Sequence, residues 1–321
     1  MEYRKLGNSG LDISTVGIGT NNFGRRMDLN ATQKVIHKAI DLGINFFDTS
    51  NTYGNQLSEE YIGKTITKDI RKNILIATKF GMDMGGVPNN IGASRKHILE
   101  QVDDSLKRLN TDYVDLYQIH VPDPNTPILE TLTTLNDLVR SGKVRYIGCS
   151  NFAGWQIAQA METSRKESLE AFVSNQPEYS MLNRSIETEI LPACENYKLG
   201  ILPFFPLANG FLTGKYKRNQ PPPSGTRLSE SAESANAYFT SKNFDIIEKL
   251  EQLANEANHT VTELAISWLL SNNNVSSVIS GATKTSQLEI NAKAADWTLE
   301  SDILDEIEII LNSKGSKSNN E

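Results

Sequence analysis

Between Val16 and Ser280 the chain alternates short apolar runs with amphipathic helical patterns, eight times in succession. The apolar runs are Val16–Thr20, Asn45–Asp48, Ile74–Lys79, Tyr113–His120, Val144–Ser150, Ala171–Gln176, Ile201–Leu207 and Val275–Ser280. Parallel strands need a crossover of a dozen or so residues, and a helix is the usual one, so this rhythm predicts a parallel sheet with helices outside it. Eight units are the number that closes such a sheet on itself, which predicts the α/β class and an eight-stranded parallel (β/α)8 TIM barrel. An open doubly wound sheet is the alternative, but no G-x-G-x-x-G follows the first strand.

The helical stretches carry their own signals. After the first run, Asn30 or Thr32 is expected to cap a helix with Val35, Ile36, Ala39 and Ile40 on one face. Ser94 is expected to cap another, with Ile98, Val102, Leu106 and Leu109 in one stripe. Further helices are expected near 56–66, over 128–140, after Trp155, and over 185–197, 242–257, 261–271 and 286–294, with an extra one near the C-terminus. Before the repeat, two short strand-like pieces flank Gly7-Asn8-Ser9-Gly10 and predict a β-hairpin that plugs one end of the barrel. Residues 216–240, with three prolines, read as a long loop at the catalytic end. Nothing resembling a linker interrupts the pattern, so one barrel domain over 1–312 is expected, followed by a polar, disordered tail at 313–321.

The chain is 321 residues long, with 32 Lys plus Arg against 39 Asp plus Glu, a net charge of −7 that offers nucleic acid no broad attraction. Its two cysteines, Cys149 and Cys194, lack metal spacing and read as free thiols of a reducing compartment. The four histidines form no zinc pattern, so no metal is expected. Neither an apolar leader nor a membrane-length apolar run is present, which points to a cytoplasmic protein.

Chemistry is suggested where strands end in residues that a barrel core would reject. Phe46 and Asp48 share one face of their strand, as do Leu75, Ala77 and Lys79, and Val114, Leu116, Gln118 and His120. With the apolar members inside the barrel, Asp48, Lys79 and His120 converge at its carboxyl end, where barrel enzymes keep their sites. Tyr53 closes the polar loop after Asp48. A phenol of ordinary pKa, about 10, is a poor acid at neutral pH, but a neighbouring ammonium favours its ionised form. Tyr53 would donate a proton, Lys79 would tune it, Asp48 would hold Lys79, and His120 would orient the substrate oxygen. Asp48 alone could cap a loop, Tyr53 alone could be an ordinary loop tyrosine, and His120 alone could be a satisfied core histidine. A lysine ending a buried strand is harder to explain, and the combination carries the reading.

The constellation resembles the aldo-keto reductase superfamily over almost the whole chain. The likeness rests on Gly19-Thr20-Asn21, DTSNTY from Asp48, Lys79, VDLYQIH from Val114, GKVRYIGCSN from Gly142, NQPEY from Asn175, PLANGFLTGKY from Pro206 and GATKTSQLEIN from Gly281. It implies that Asp48, Tyr53, Lys79 and His120 form a catalytic tetrad. The implied reaction is reversible, NADPH-dependent reduction of an aldehyde or ketone without a metal, on a small carbonyl substrate. By the same resemblance Ser150, Asn151 and Gln176 bind the nicotinamide carboxamide, with Gly19, Thr20 and Asn21 at that end and Phe204 stacked on the ring. Phe205, Pro206, Leu207, Gly210, Gly214 and Lys215 follow the pyrophosphate, and Arg227 is a further phosphate clamp. Gly281, Thr283 and Lys284 face the adenosine 2′-phosphate, and Gln287 and Asn291 the adenine. A hydroxyl and a cation suit a dianionic phosphate, which favours NADPH over NADH.

An alternative from another class is a redox-sensing subunit like the potassium-channel β-subunits of this superfamily. Those keep the cofactor site but carry asparagine at the position of His120, so His120 favours a working enzyme. A barrel enzyme of phosphorylated sugars is a third reading, and the tyrosine–lysine–aspartate set is not what that chemistry needs. Substrate pockets in this superfamily come from variable loops, here expected at 25–29, 81–90, 121–126 and within 216–240.

Overall fold

The structure, a computed structural model, describes residues 1–313. The predicted tail therefore lies outside the described residues apart from Ser313. An antiparallel hairpin, β1 (Tyr3–Lys5) and β2 (Asp12–Ser14), comes first. The repeating part follows as β3 (Val16–Gly19), α1 (Leu29–Asp41), β4 (Phe46–Asp48), α2 (Leu57–Thr65), α3 (Lys68–Arg71) and β5 (Leu75–Phe80). It continues with α4 (Arg95–Leu109), β6 (Val114–Ile119), α5 (Ile128–Arg140), β7 (Val144–Ser150), α6 (Gly154–Glu167), β8 (Phe172–Gln176), α7 (Ile190–Tyr197) and β9 (Gly200–Ile201). Last come α8 (Ala232–Tyr238), α9 (Ser241–Glu256), α10 (Val261–Leu270), β10 (Val278–Gly281), α11 (Thr285–Ala294) and α12 (Ser301–Asn312).

The eight parallel strands run in the order β10-β3-β4-β5-β6-β7-β8-β9. The two ends of that order meet. Ile201 N–H donates to Asn274 O at 2.8 Å, Ser276 N–H to Ile201 O at 3.0 Å, and Ile279 N–H to Pro203 O at 3.0 Å. These bonds close the (β/α)8 barrel and leave no free edge. Both faces of each strand are covered, which explains why the strands read as continuous apolar runs rather than alternating ones. Phe46 faces the barrel interior with Ala77, Leu116, Leu202 and Ile279, while Phe47 belongs to the core beneath the helices. Gly17 is glycine for a packing reason, because a Cβ there would sit 2.8 Å from the Phe46 ring. Leu6 and Ile13, fully buried, add the hairpin to the interior cluster and plug the barrel as predicted.

Several elements differ in detail from the sequence reading. Asp28, rather than Asn30 or Thr32, caps α1 by accepting from the Ala31 amide. The seventh strand is only Gly200–Ile201 instead of Ile201–Leu207. Pro203 and Pro206 have no N–H for a ladder, and Phe205 adopts a left-handed φ of +51°, so the chain leaves the sheet for a 3-10 segment over Ala208–Thr213. The stretch 185–197 splits into a 3-10 turn, Ser185–Thr188, and α7. The loop 216–240 contains a 3-10 turn, Arg227–Ser229, and the short helix α8 capped by Ser231.

Candidate active site

The carboxyl ends of the strands set the polar residues side by side. Asp48, the last residue of β4, pairs in register with Gly19 of β3 and Ala77 of β5. Lys79 stands opposite Gln118, Gln118 opposite Gly148, and Ser150 opposite Gln176. The loop after Asp48 continues the ladder, with Thr49 N–H on Ala77 O and Asn51 N–H on Lys79 O. Asn51 Nδ2 then donates to Gln101 Oε1 at 2.8 Å, and the Tyr53 amide closes a turn on Ser50 O. Tyr53 is thereby folded back over the end of β5.

Lys79 is at the centre of this arrangement and is fully buried. Its Nζ donates to Asp48 Oδ2 at 2.7 Å, to Thr49 O at 2.9 Å and to Tyr53 Oη at 3.2 Å, so its three protons have three acceptors. Burial alone would lower the Lys79 pKa, but Asp48 and Tyr53 outweigh it and hold the pKa above its ordinary value. Lys79 is therefore a fixed cation. For Tyr53, burial raises the pKa, Lys79 pulls it down and Asp48 raises it again, with a net rise. The ammonium thus offsets the burial of the phenol without bringing its pKa below the usual value, and Tyr53 keeps its proton at neutral pH. His120, just past β6, donates its amide to Phe80 O, and its Nδ1 lies 3.3 Å from Ser50 Oγ. Burial, followed by the charge of Lys79, drops its pKa to about 3, so the imidazole is neutral. The rings of Tyr53 and His120 meet edge-on with centroids 5.9 Å apart.

Two residues do more here than sequence reasoning gave them. Gln176 Nε2 donates to Asp48 Oδ1 at 2.8 Å, and Gln118 Nε2 donates to the same oxygen at 3.3 Å. Together with Lys79 they occupy both oxygens of a carboxylate that is almost wholly out of solvent. The signal for Gln118 was present, since a glutamine between Leu116 and His120 on an inward face has to find a polar partner.

A cleft of about 850 Å³ runs from Tyr53 and His120 to the start of α11. Gly19, Asn21, Ser150, Asn151, Gln176, Phe204, Phe205, Pro206, Leu207, Gly210 and Lys215 line it, as do Arg227, Gly281, Thr283, Lys284, Gln287 and Asn291. Thr20 and Gly214 do not. Thr20 is fully buried and binds Asp48 O and the Ser58 hydroxyl, so it holds the loops together beneath the cleft. Sequence reasoning missed Asn22, which also lines the cleft from the loop after β3, whereas Arg25 and Arg26 line it from the loop 25–29 expected to build the substrate pocket.

The far end of the cleft gathers hydrogen-bond donors at the start of α11. The Thr283 amide, the Thr283 hydroxyl and the Lys284 amide converge on the single oxygen Gln287 Oε1, at 2.8, 3.2 and 3.2 Å. An acceptor of higher charge would compete for those donors at the N-terminus of α11, with Lys284 beside them. Asn291 is buried and donates to Ser280 Oγ at 2.8 Å, which fixes the strand–helix junction. Among the described residues there is no cluster of histidine, cysteine and acidic side chains fit to hold a metal ion. No helix among them is long and apolar enough to cross a membrane.

Comparison with known proteins agrees with this geometry. The model of the aldo/keto reductase family matches residues 15–312. A probable voltage-gated potassium channel subunit beta of Arabidopsis thaliana is 39% identical over 322 residues, covering 98% of this chain and 98% of that protein. The L-glyceraldehyde 3-phosphate reductase of Escherichia coli K12 is 35% identical over 92% of this chain and 87% of its own. Aldo-keto reductase YhdN of Bacillus subtilis is 33% identical over 97% and 94%. The chain belongs to the aldo/keto reductase family, an oxidoreductase family acting on small molecules.

Proposed function

We propose that the protein reduces aldehydes or ketones reversibly with NADPH, using Tyr53 as the general acid. The observation that carries this reading is the triple contact of Lys79 with Asp48, Thr49 and Tyr53 at the head of a long cleft. The cleft residues suit the cofactor, because cationic Lys215 and Arg227 line it and the donors of Thr283 and Lys284 stand at the start of α11. NADPH, when bound, supplies a hydride to the carbonyl carbon. Tyr53 gives its proton to the carbonyl oxygen as charge develops there. Lys79, held cationic by Asp48, stabilises the phenolate left behind until solvent reprotonates it. Neutral His120 offers a ring N–H to the same oxygen while Ser50 faces the other nitrogen. Gln118 and Gln176 fix Asp48, so that the ammonium does not swing away from the phenol.

A second reading has one specific observation in its favour, the 39% identity to a probable potassium channel subunit beta. Under it, the cofactor would be bound and its redox state sensed rather than turned over rapidly. His120 and the completed Asp48–Lys79–Tyr53 set support the enzyme reading. Mixing NADPH-loaded protein with a panel of aldehydes and ketones, including L-glyceraldehyde 3-phosphate, separates the two. Multiple turnovers support the reductase, and binding without turnover supports the sensing subunit.

A further inference from the structure

Three guanidinium groups crowd one carboxylate at the mouth of the cleft. Arg25 Nη2 lies 3.2 Å from Glu230 Oε2, and Arg26 Nη2 lies 2.5 Å from Glu230 Oε1. Arg227, one 3-10 turn earlier than Glu230, holds its guanidinium 4.4 Å over the Phe205 ring. All three arginines line the cleft with Tyr53 and His120. The backbone places them there. Gly54 packs against Phe23 and Gly24 so closely that a Cβ on it would collide with the Phe23 carbonyl, so residues 22–26 lie against the loop carrying Tyr53. Arg227, already destabilised as a cation by burial, feels Arg26 and Arg25 as further repulsion and Tyr53 as a neighbour.

The charge is unbalanced. Three arginines against Glu230 leave an excess of two positive charges. The only acidic residue lining the cleft among the described residues is Asp48, and Lys79 neutralises it. A pyrophosphate with two negative charges is matched by Lys215 and Arg227, and a 2′-phosphate belongs to the distant donors of Thr283 and Lys284. Arg25 and Arg26 then share a single carboxylate, close to the proton donor. Arg25 keeps 57% of its side chain exposed and is open to a small solute. Arg26 keeps 19%, and its Nη2, out of solvent against Glu230 and with no hydrogen bond of its own, becomes available as the Glu230 contact opens.

Resting on the reductase reading above, we propose that the substrate is an aldehyde bearing an anionic group, a carboxylate or a phosphate, which Arg25 and Arg26 bind in exchange for part of their contact with Glu230. Paired guanidinium donors recognise such oxyanions through charge-assisted hydrogen bonds. The carbonyl end is then directed toward Tyr53 and His120 while the charged end stays at the mouth.

The test compares kcat/KM for two pairs, succinate semialdehyde with butanal and glycolaldehyde phosphate with glycolaldehyde, in the wild type, Arg25→Ala, Arg26→Ala and Glu230→Gln. The anionic member is expected to exceed its neutral partner by tenfold or more in at least one pair, and which pair shows it separates carboxylate from phosphate. Removing one charge-assisted bond is expected to cut that ratio by roughly tenfold in each arginine variant. Glu230→Gln, which releases both arginines, is expected to raise it, and this variant keeps the test open should an arginine variant fail to fold. A wild-type ratio near one in both pairs, or a ratio untouched by the variants, overturns the proposal. Weaker NADPH binding with an unchanged ratio also overturns it and assigns the arginines to the cofactor. A wild type that turns over no aldehyde contradicts the reductase reading instead. Calorimetric titration of the NADP-saturated protein with succinate then decides. Saturable binding of succinate, or of 2-phosphoglycolate titrated in the same way, that weakens tenfold in Arg26→Ala upholds the anion site, and binding of neither overturns it.

Discussion

Gln176 reaches across the barrel mouth from β8 and donates its side-chain amide to Asp48 Oδ1 at 2.8 Å, a bond between residues 128 positions apart in the chain. It joins the strand end assigned to the nicotinamide with the carboxylate that anchors Lys79. Gln176→Met leaves that oxygen with only the 3.3 Å bond from Gln118. Losing a hydrogen bond to a buried charge costs about 1.5–3 kcal/mol, so kcat is expected to fall by roughly tenfold or more, beyond any change in NADPH affinity. Stopped-flow rates at saturating NADPH check this. A change in cofactor affinity with kcat intact would show that Asp48 does not need Gln176.

At the other end of the cleft, Lys284→Met removes a side-chain cation next to the donors that converge on Gln287. NADPH affinity is expected to weaken by about tenfold, or about 1.4 kcal/mol, while NADH affinity barely moves. Fluorescence titrations with both cofactors measure the ratio, and equal losses would place the 2′-phosphate elsewhere.

The neutrality of His120 has a thermodynamic signature. Its folded pKa is about 3 against an unfolded value near ~6.5, so between those values the unfolded chain binds a proton that the folded one refuses. Its contribution to stability is complete above about pH 6.5 and declines as the pH falls toward 3, by an amount on the order of a few kcal/mol. Urea unfolding at about pH 7 and about pH 5 is expected to show a larger acid loss for the wild type than for His120→Gln. Equal losses would mean that the imidazole is already charged in the folded protein.

Stability at the opposite end of the barrel depends on Arg71. Its guanidinium binds Ile74 O and Tyr113 O, each at 2.9 Å, and lies 2.8 Å from the buried Asp115 carboxylate. It ties the starts of β5 and β6 together. Arg71→Met strands Asp115 without its counter-charge and is expected to cost roughly 3–5 kcal/mol of unfolding free energy. Chemical denaturation checks the loss. A cost below about 1 kcal/mol would show that Asp115 simply takes up a proton.

The barrel and the head of the site were legible because their signals are local. A strand buried on both faces is apolar throughout, and a lysine ending such a strand has to be paired, which exposed Lys79 and its neighbours in the sequence. The seventh strand was overread because Ile201–Leu207 is apolar, although Pro203 and Pro206 already forbade a full ladder. Thr20 was placed by analogy beside the cofactor, whereas its hydroxyl is spent on Asp48 O and Ser58, a contact set by folding at long range. The pairing of Arg25 and Arg26 with Glu230 joins residues some 200 positions apart, and no periodicity announces it. Likewise, proximity to Lys79 suggested a phenol of lowered pKa, but burial, invisible in a loop sequence, has the larger effect on Tyr53.

Under the proposed function Tyr53, paired with Lys79, delivers the proton in an NADPH-dependent reduction. The most direct measurement follows NADPH absorbance in the presence of a carbonyl panel for the wild type and for Tyr53→Phe, with NADPH affinity determined for both. Steady consumption is expected of the wild type, and a loss of at least about a hundredfold in kcat is expected of Tyr53→Phe with cofactor binding retained. Turnover by Tyr53→Phe at the wild-type rate would contradict it.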